Sequence, residues 1–125
     1  MSAFKFAVAV LAATTLTAPL LAHARLMATT PATNSTAKPT SKVEMRFSRP
    51  LVLKASGADV VMTDMPGMKM DKPMKMGGTA SIAPDGKTLV VSFKTPLPEG
   101  RYDVTWHIQS TDQHRMQGKF AFAVK

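Results

Sequence analysis

The sequence predicts an all-β sandwich or barrel, and three observations predict it. Apolar residues recur with a period of two in several separate segments. Turn residues break the chain roughly every eight to twelve positions. No stretch carries helical periodicity. The chain has 125 residues, enough for one domain.

The elements follow in order. Lys5 precedes an apolar run from Phe6 to Leu21, interrupted by Thr14, Thr15, Thr17 and Pro19. That run is too short and too broken to cross a bilayer and reads as a secretory signal peptide over residues 1–22. Two cleavage positions compete. Cutting after Ala24 uses the better small-x-small match, Ala22-His23-Ala24, whereas cutting after Ala22 leaves His23 as the mature N-terminus. The second gives a domain over residues 23–125 with a net charge of +7, since the leader holds only one lysine. No second apolar segment follows, so the mature protein is expected in the periplasm, outside the membrane and monomeric.

Thr29–Ser41, with Pro31 and Pro39, reads as a loop or irregular edge. Val43, Met45 and Phe47 alternate with polar residues and mark a half-buried strand. Leu51–Leu53 and Asp59–Met62 are short strand candidates around a Ser56-Gly57 turn. Residues 62–78 show no strand pattern, and 79–82 resume as a strand. Pro84-Asp85-Gly86-Lys87 is a turn. Leu89, Val91 and Phe93 then alternate, as do Tyr102, Val104, Trp106 and Ile108, and finally Phe120, Phe122 and Val124. These apolar positions make the predicted core, with Trp106 inside it.

Composition narrows the function. There is no cysteine, which excludes a disulfide scaffold, a thiolate zinc site and a cysteine nucleophile. One Trp and one Tyr supply a poor stacking platform for nucleic acid, so none is expected as a partner. Methionine is the anomaly: of ten in the chain, six lie at Met62, Met65, Met68, Met70, Met74 and Met76. A core stripe of gap-filling methionines is the plain reading. Pro66-Gly67 and Pro73 rule out a continuous helix there, and Lys and Asp alternate with the methionines. Thioether sulfur is soft, neutral and proton-free, and it prefers Cu(I) over hard divalent cations.

Three histidines remain. His107 is out of phase with the apolar residues of its strand and should point away from the core. Asp112 and His114, two apart in an extended segment, would project to one side. A mature N-terminal His23 would add an α-amine and an imidazole, giving a nitrogen-rich set suited to Cu(II).

His23-Ala24-Arg25-Leu26, Thr30-Pro31-Ala32, Met62-Thr63-Asp64-Met65-Pro66-Gly67-Met68, Tyr102-Asp103-Val104-Thr105-Trp106 and Ser110-Thr111-Asp112-Gln113-His114 resemble the CopC family of periplasmic copper-resistance proteins. The resemblance covers essentially the whole mature chain. It implies a small Greek-key β-sandwich or barrel, immunoglobulin-like or cupredoxin-like, that carries or buffers copper. It implies a Cu(II) site at His23, Asp112 and His114. It implies a Cu(I) site at Met62, Met65, Met68 and Met74, with Met70 and Met76 additional and Met70 near where some members place a histidine. A CopD-type inner-membrane transporter or an envelope copper oxidase would be the partner. One departure is Arg49, where some members have Glu near the Cu(II) end; a cation there disfavours Cu(II).

Two other functions compete. A histidine-brace copper oxidoreductase would share the N-terminal His, but the chain has few aromatics for a polysaccharide platform. A basic immunoglobulin-like module binding anionic polymers would leave the methionine segment unexplained. The expectation is a copper-binding protein and not an enzyme.

Overall fold

A computed structural model gives the fold and describes residues 24–68 and 70–125. Nine strands are present among them: β1 Leu26–Thr30, β2 Thr36–Ala37, β3 Lys42–Phe47, β4 Gly57–Asp64, β5 Met74–Met76, β6 Thr79–Ile82, β7 Thr88–Ser92, β8 Gly100–Gln109 and β9 Arg115–Val124. They form a four-stranded sheet, β1-β3-β7-β6, and a five-stranded sheet, β2-β9-β8-β4-β5. All pairings are antiparallel except β2 with β9. The chain changes sheet between β1 and β2, β2 and β3, β3 and β4, β5 and β6, and β7 and β8, and β8 returns to lie beside β4. This is a Greek-key β-sandwich, the first of the two predicted architectures.

The period-two segments account for the strands with full cores. On β3 and β8 every second side chain is buried, and the inner faces of the two sheets meet at Phe47 and Trp106, whose rings stand edge to face 5.0 Å apart. All the predicted core residues are buried except Phe93. Phe93 lies one residue past β7 and is half-buried against the core. Trp106, Tyr102, Val104 and Ile108 do share the inner face.

Three local readings are corrected. The stretch 29–41 contains the end of β1 and all of β2. β1 hides its period because Met27 is the extra residue of a bulge between the pairs Leu26–Phe47 and Ala28–Arg46. Leu51–Leu53 is not a strand. Leu51 makes a single bridge to Ser110, and Leu53–Ala55 turns as a short 3₁₀ helix. The stretch 62–78 is not strandless: β4 runs through Met62 to Asp64, and Met74–Met76 pairs with it as an edge strand. Pro73 is tolerated there because it precedes the edge strand's first residue.

Candidate metal-binding ends

The hairpin joining β8 to β9 holds Asp112 and His114. The Gln113 N–H donates to the Ser110 carbonyl at 2.8 Å, and the Ser110 N–H donates to the His114 carbonyl at 2.9 Å. Gln113 takes φ 71°, so the loop is a tight turn closed by a left-handed residue. Asp112 and His114 therefore share a side because the chain turns, and not because it is extended as expected. His114 Nδ1 lies 3.3 Å from Asp112 Oδ2. The buried Ser110 hydroxyl donates to the other carboxylate oxygen. That hydrogen bond, and then the neighbouring His114, hold the Asp112 carboxyl below its usual range. Ser110 is the site residue that the sequence reading overlooked. Its position two before an Asp in a hairpin loop was the available clue.

The same end of the sandwich gathers the start of the described chain. Arg25 and Ser48 exchange two hydrogen bonds, each of 2.9 Å. The Thr111 N–H donates to the Pro50 carbonyl at 3.0 Å, and Val52 donates to Gln109 at 2.9 Å. Segment 48–52 thus lies between residue 25 and the hairpin. Ala24 is wholly buried in the core. His23 itself lies outside the described residues. Arg49, exposed, belongs to this segment. Among the described residues no three His, Asp or Glu side chains gather to hold a metal, so Asp112 and His114 stand as a pair.

His107 is exposed on the outer face of β8, as its phase predicts. Its ring lies over Gly57, where a Cβ would meet Cε1 at 3.2 Å. A cleft of about 680 Å³ beside it is lined by Ala55, Ile108, Arg115, Met116 and Gln117, and contains neither Asp112 nor His114.

The methionines of segment 62–76 occupy the opposite end. Met65-Pro66-Gly67-Met68 is a β-turn in which the Met68 N–H donates to the Met65 carbonyl at 3.1 Å. Pro at the second position and Gly67 at φ 69° give it type II character. The turn sets Met65 and Met68 opposite each other as an antiparallel bridge. Across the β4–β5 ladder Met62 faces Met74, and Val60 faces Met76. Cross-strand partners share a sheet face, so Met62, Met74 and Met76 all belong to the inner face. Their exposure differs sharply. Met62 is 1% exposed and part of the core, while Met74 on the edge strand is 50% exposed and Met68 at the turn is 59% exposed. Met65, Met70 and Met76 are partly buried against the core. On the outer face, Lys75 pairs with Asp59 at 3.2 Å.

The two ends cannot share a ligand. Met62 pairs with Tyr102 near the start of β8, and Ser110 follows its end. Eight residues at ~3.3 Å each separate them by roughly 26 Å. One end offers a carboxylate and an imidazole, and the other offers neutral thioethers.

Comparison with known proteins agrees over this whole framework. The CopC domain model matches residues 26–125. A copper resistance protein C of Xanthomonas campestris pv. juglandis is 36% identical over 94% of this chain and 92% of its own. The copper resistance protein C of Pseudomonas syringae pv. tomato is 41% identical over 83% of this chain and 82% of its own. The crystal structure of selenomethionine PcoC, a copper resistance protein from Escherichia coli, superposes with a TM-score of 0.76 at 35% identity, covering 81% of this chain and 99% of that one. A CopC structure from Methylosinus trichosporium OB3b, 23% identical with a TM-score of 0.67, shares the fold. With the family's domain matched over residues 26–125 and relatives 36–41% identical along most of its length, the chain belongs to the CopC family of copper resistance proteins.

Proposed function

We propose that this protein is a periplasmic copper carrier with two chemically distinct binding ends. Residues 1–22 are the leader, and the mature domain begins at His23. The α-amine and imidazole of His23 join Asp112 and His114 in a Cu(II) site. Met65, Met68, Met70, Met74 and Met76 surround the Cu(I) end, and Met62, the remaining methionine of the segment, backs it from the core. The cargo passes to a CopD-type inner-membrane transporter or an envelope copper oxidase. The protein acts as a binder and not as an enzyme, in keeping with relatives named for copper resistance.

The observation that carries this reading is the separation of donor types. A carboxylate and imidazole suit Cu(II), thioethers suit Cu(I), and the sandwich holds the two sets at opposite ends. Two of the thioethers are open to solvent although they are apolar, which packing alone does not require. Among the described residues no helix is long and apolar enough to cross a membrane. The burial of Ala24 supports cleavage before His23, since cutting after Ala24 would remove a core residue.

The test is intact mass of the secreted protein with and without copper, which reports the N-terminus and the stoichiometry together. Cu(II) affinity is then compared between the chain beginning at His23 and one with an extra residue before it. The blocked chain is expected to bind more weakly, because a peptide nitrogen cannot serve as an amine ligand. Cu(II) affinity should also fall in acid, since amine and imidazole must lose protons to bind, while thioether binding should not. Equal affinities and equal pH profiles for the two chains would remove His23 from the site.

A further inference from the structure

We infer that Met68 and Met74 are methionine-oxidation sites whose sulfoxides close the thioether end to Cu(I). The inference rests on the reading of that end as a Cu(I) site and adds its regulation.

The sandwich divides chemically identical side chains by access. Met45 is fully buried and Met62 is 1% exposed, whereas Met68 and Met74 are more than half and half exposed. Met27, 49% exposed, lies on β1 in the other sheet and provides a comparison with no role at the thioether end. The relevant oxidant class is a peroxide. A sulfur lone pair attacks one peroxide oxygen, an S–O bond forms and the O–O bond breaks. Sulfur loses two electrons, and the departing oxygen leaves as water.

The consequences differ by position. At Met68 and Met74 the new S=O group projects into solvent, so the fold need not change. For copper the change is large: a soft, neutral donor becomes a polar group with a hard oxygen, which Cu(I) disfavours. Asp112 and His114, at the far end of β8, carry no thioether, and the nearby Met116 on β9 is partly buried against the core. Peroxide therefore silences one copper end and spares the other, and sulfoxide reductases reverse it. Because the buried Met62 is shielded, oxidation stops before the core is damaged.

The experiment treats the chain beginning at His23 with hydrogen peroxide for increasing times. Peptide mass analysis follows each methionine, and chelator competition follows Cu(I). Met68 and Met74 are expected to gain one oxygen each before Met45 or Met62 gains any. Cu(I) affinity should then drop by at least about tenfold, the loss typical even of a residue that only supports a metal ligand. Sulfoxide reductases A and B together should restore it, and the Met68→Gln/Met74→Gln chain should reproduce the loss with an unchanged melting temperature. Oxidation of Met45 and Met62 at the surface rate would overturn the inference, as would undiminished Cu(I) affinity after both surface sites are oxidised. If the untreated chain does not bind Cu(I), the copper reading of this end fails first and takes the inference with it.

Discussion

The hydroxyl of Tyr102 donates to the carbonyl of Pro98, four residues upstream, at the corner where the chain enters β8. The same device, a tyrosine tied back to the preceding connection, recurs in immunoglobulin-like sandwiches. Tyr102 is fully buried and stacks on Phe122 at 5.3 Å. Burial pushes its phenol up to about 12. Folding thus favours the protonated form. That stability is complete below the unfolded value of ~10 and is lost as pH rises through the folded value. Tyr102 is the only tyrosine, so phenolate absorbance reports it alone. The expected midpoint is near 12 while the fold persists; a midpoint near 10 in the folded protein would contradict the burial. Tyr102→Phe should cost about 0.5–1.5 kcal/mol at neutral pH, the usual worth of a hydrogen bond.

Trp106 needs Gly118. The two are register partners on β8 and β9, and a Cβ at position 118 would stand 2.4 Å from the indole Cζ2. Gly118→Ala should destabilise by about 1–3 kcal/mol, as overpacking does, and Trp106→Ala by about 3–5 kcal/mol. Removing the indole removes the clash, so the double variant should lose less than the sum of the two. Denaturant titration of the four proteins checks this, and strict additivity would refute the contact.

The Met65–Met68 turn depends on Gly67 for its backbone alone, because among the described residues beyond its chain neighbours nothing lies within 4 Å of where a Cβ would be. Its φ of 69° costs an ordinary residue about 1–2 kcal/mol. Gly67→Ala should therefore weaken Cu(I) binding while leaving Cu(II) binding unchanged. Gly67→Asn should fall between, since Asn tolerates the left-handed region better. Metal competition on all three proteins separates these outcomes; an unaffected Gly67→Ala would show that the turn does not shape the site.

Ala24, the first described residue, is anchored in the core. A chain beginning at Arg25 should melt below one beginning at His23, with a loss of about 1 kcal/mol for the buried methyl. Identical melting would leave no structural preference between the two cleavage positions.

Much was legible before any coordinates. The period-two segments at 43–47, 89–91, 102–108 and 120–124 gave the inner faces of the sheets, because alternation is the local imprint of one buried side. Pro84-Asp85-Gly86 marked its turn, and Pro66-Gly67 a break in the chain, through backbone chemistry that needs no partner. The candidate donor types were legible too, since a surplus of thioethers without cysteine is a property of composition.

Local sequence was enough for the class of fold, the phase of its strong strands and the donor chemistry available. Tertiary structure alone decided which of those donors meet. It set Met62 opposite Met74 yet buried one and exposed the other, because β5 is an edge with no strand beyond it. It joined Arg25 to Ser48 and Pro50 to Thr111, bringing three distant segments to one end. Periodicity records how deep a side chain lies, but the identity of its neighbour across a sheet comes from register between strands far apart in the chain.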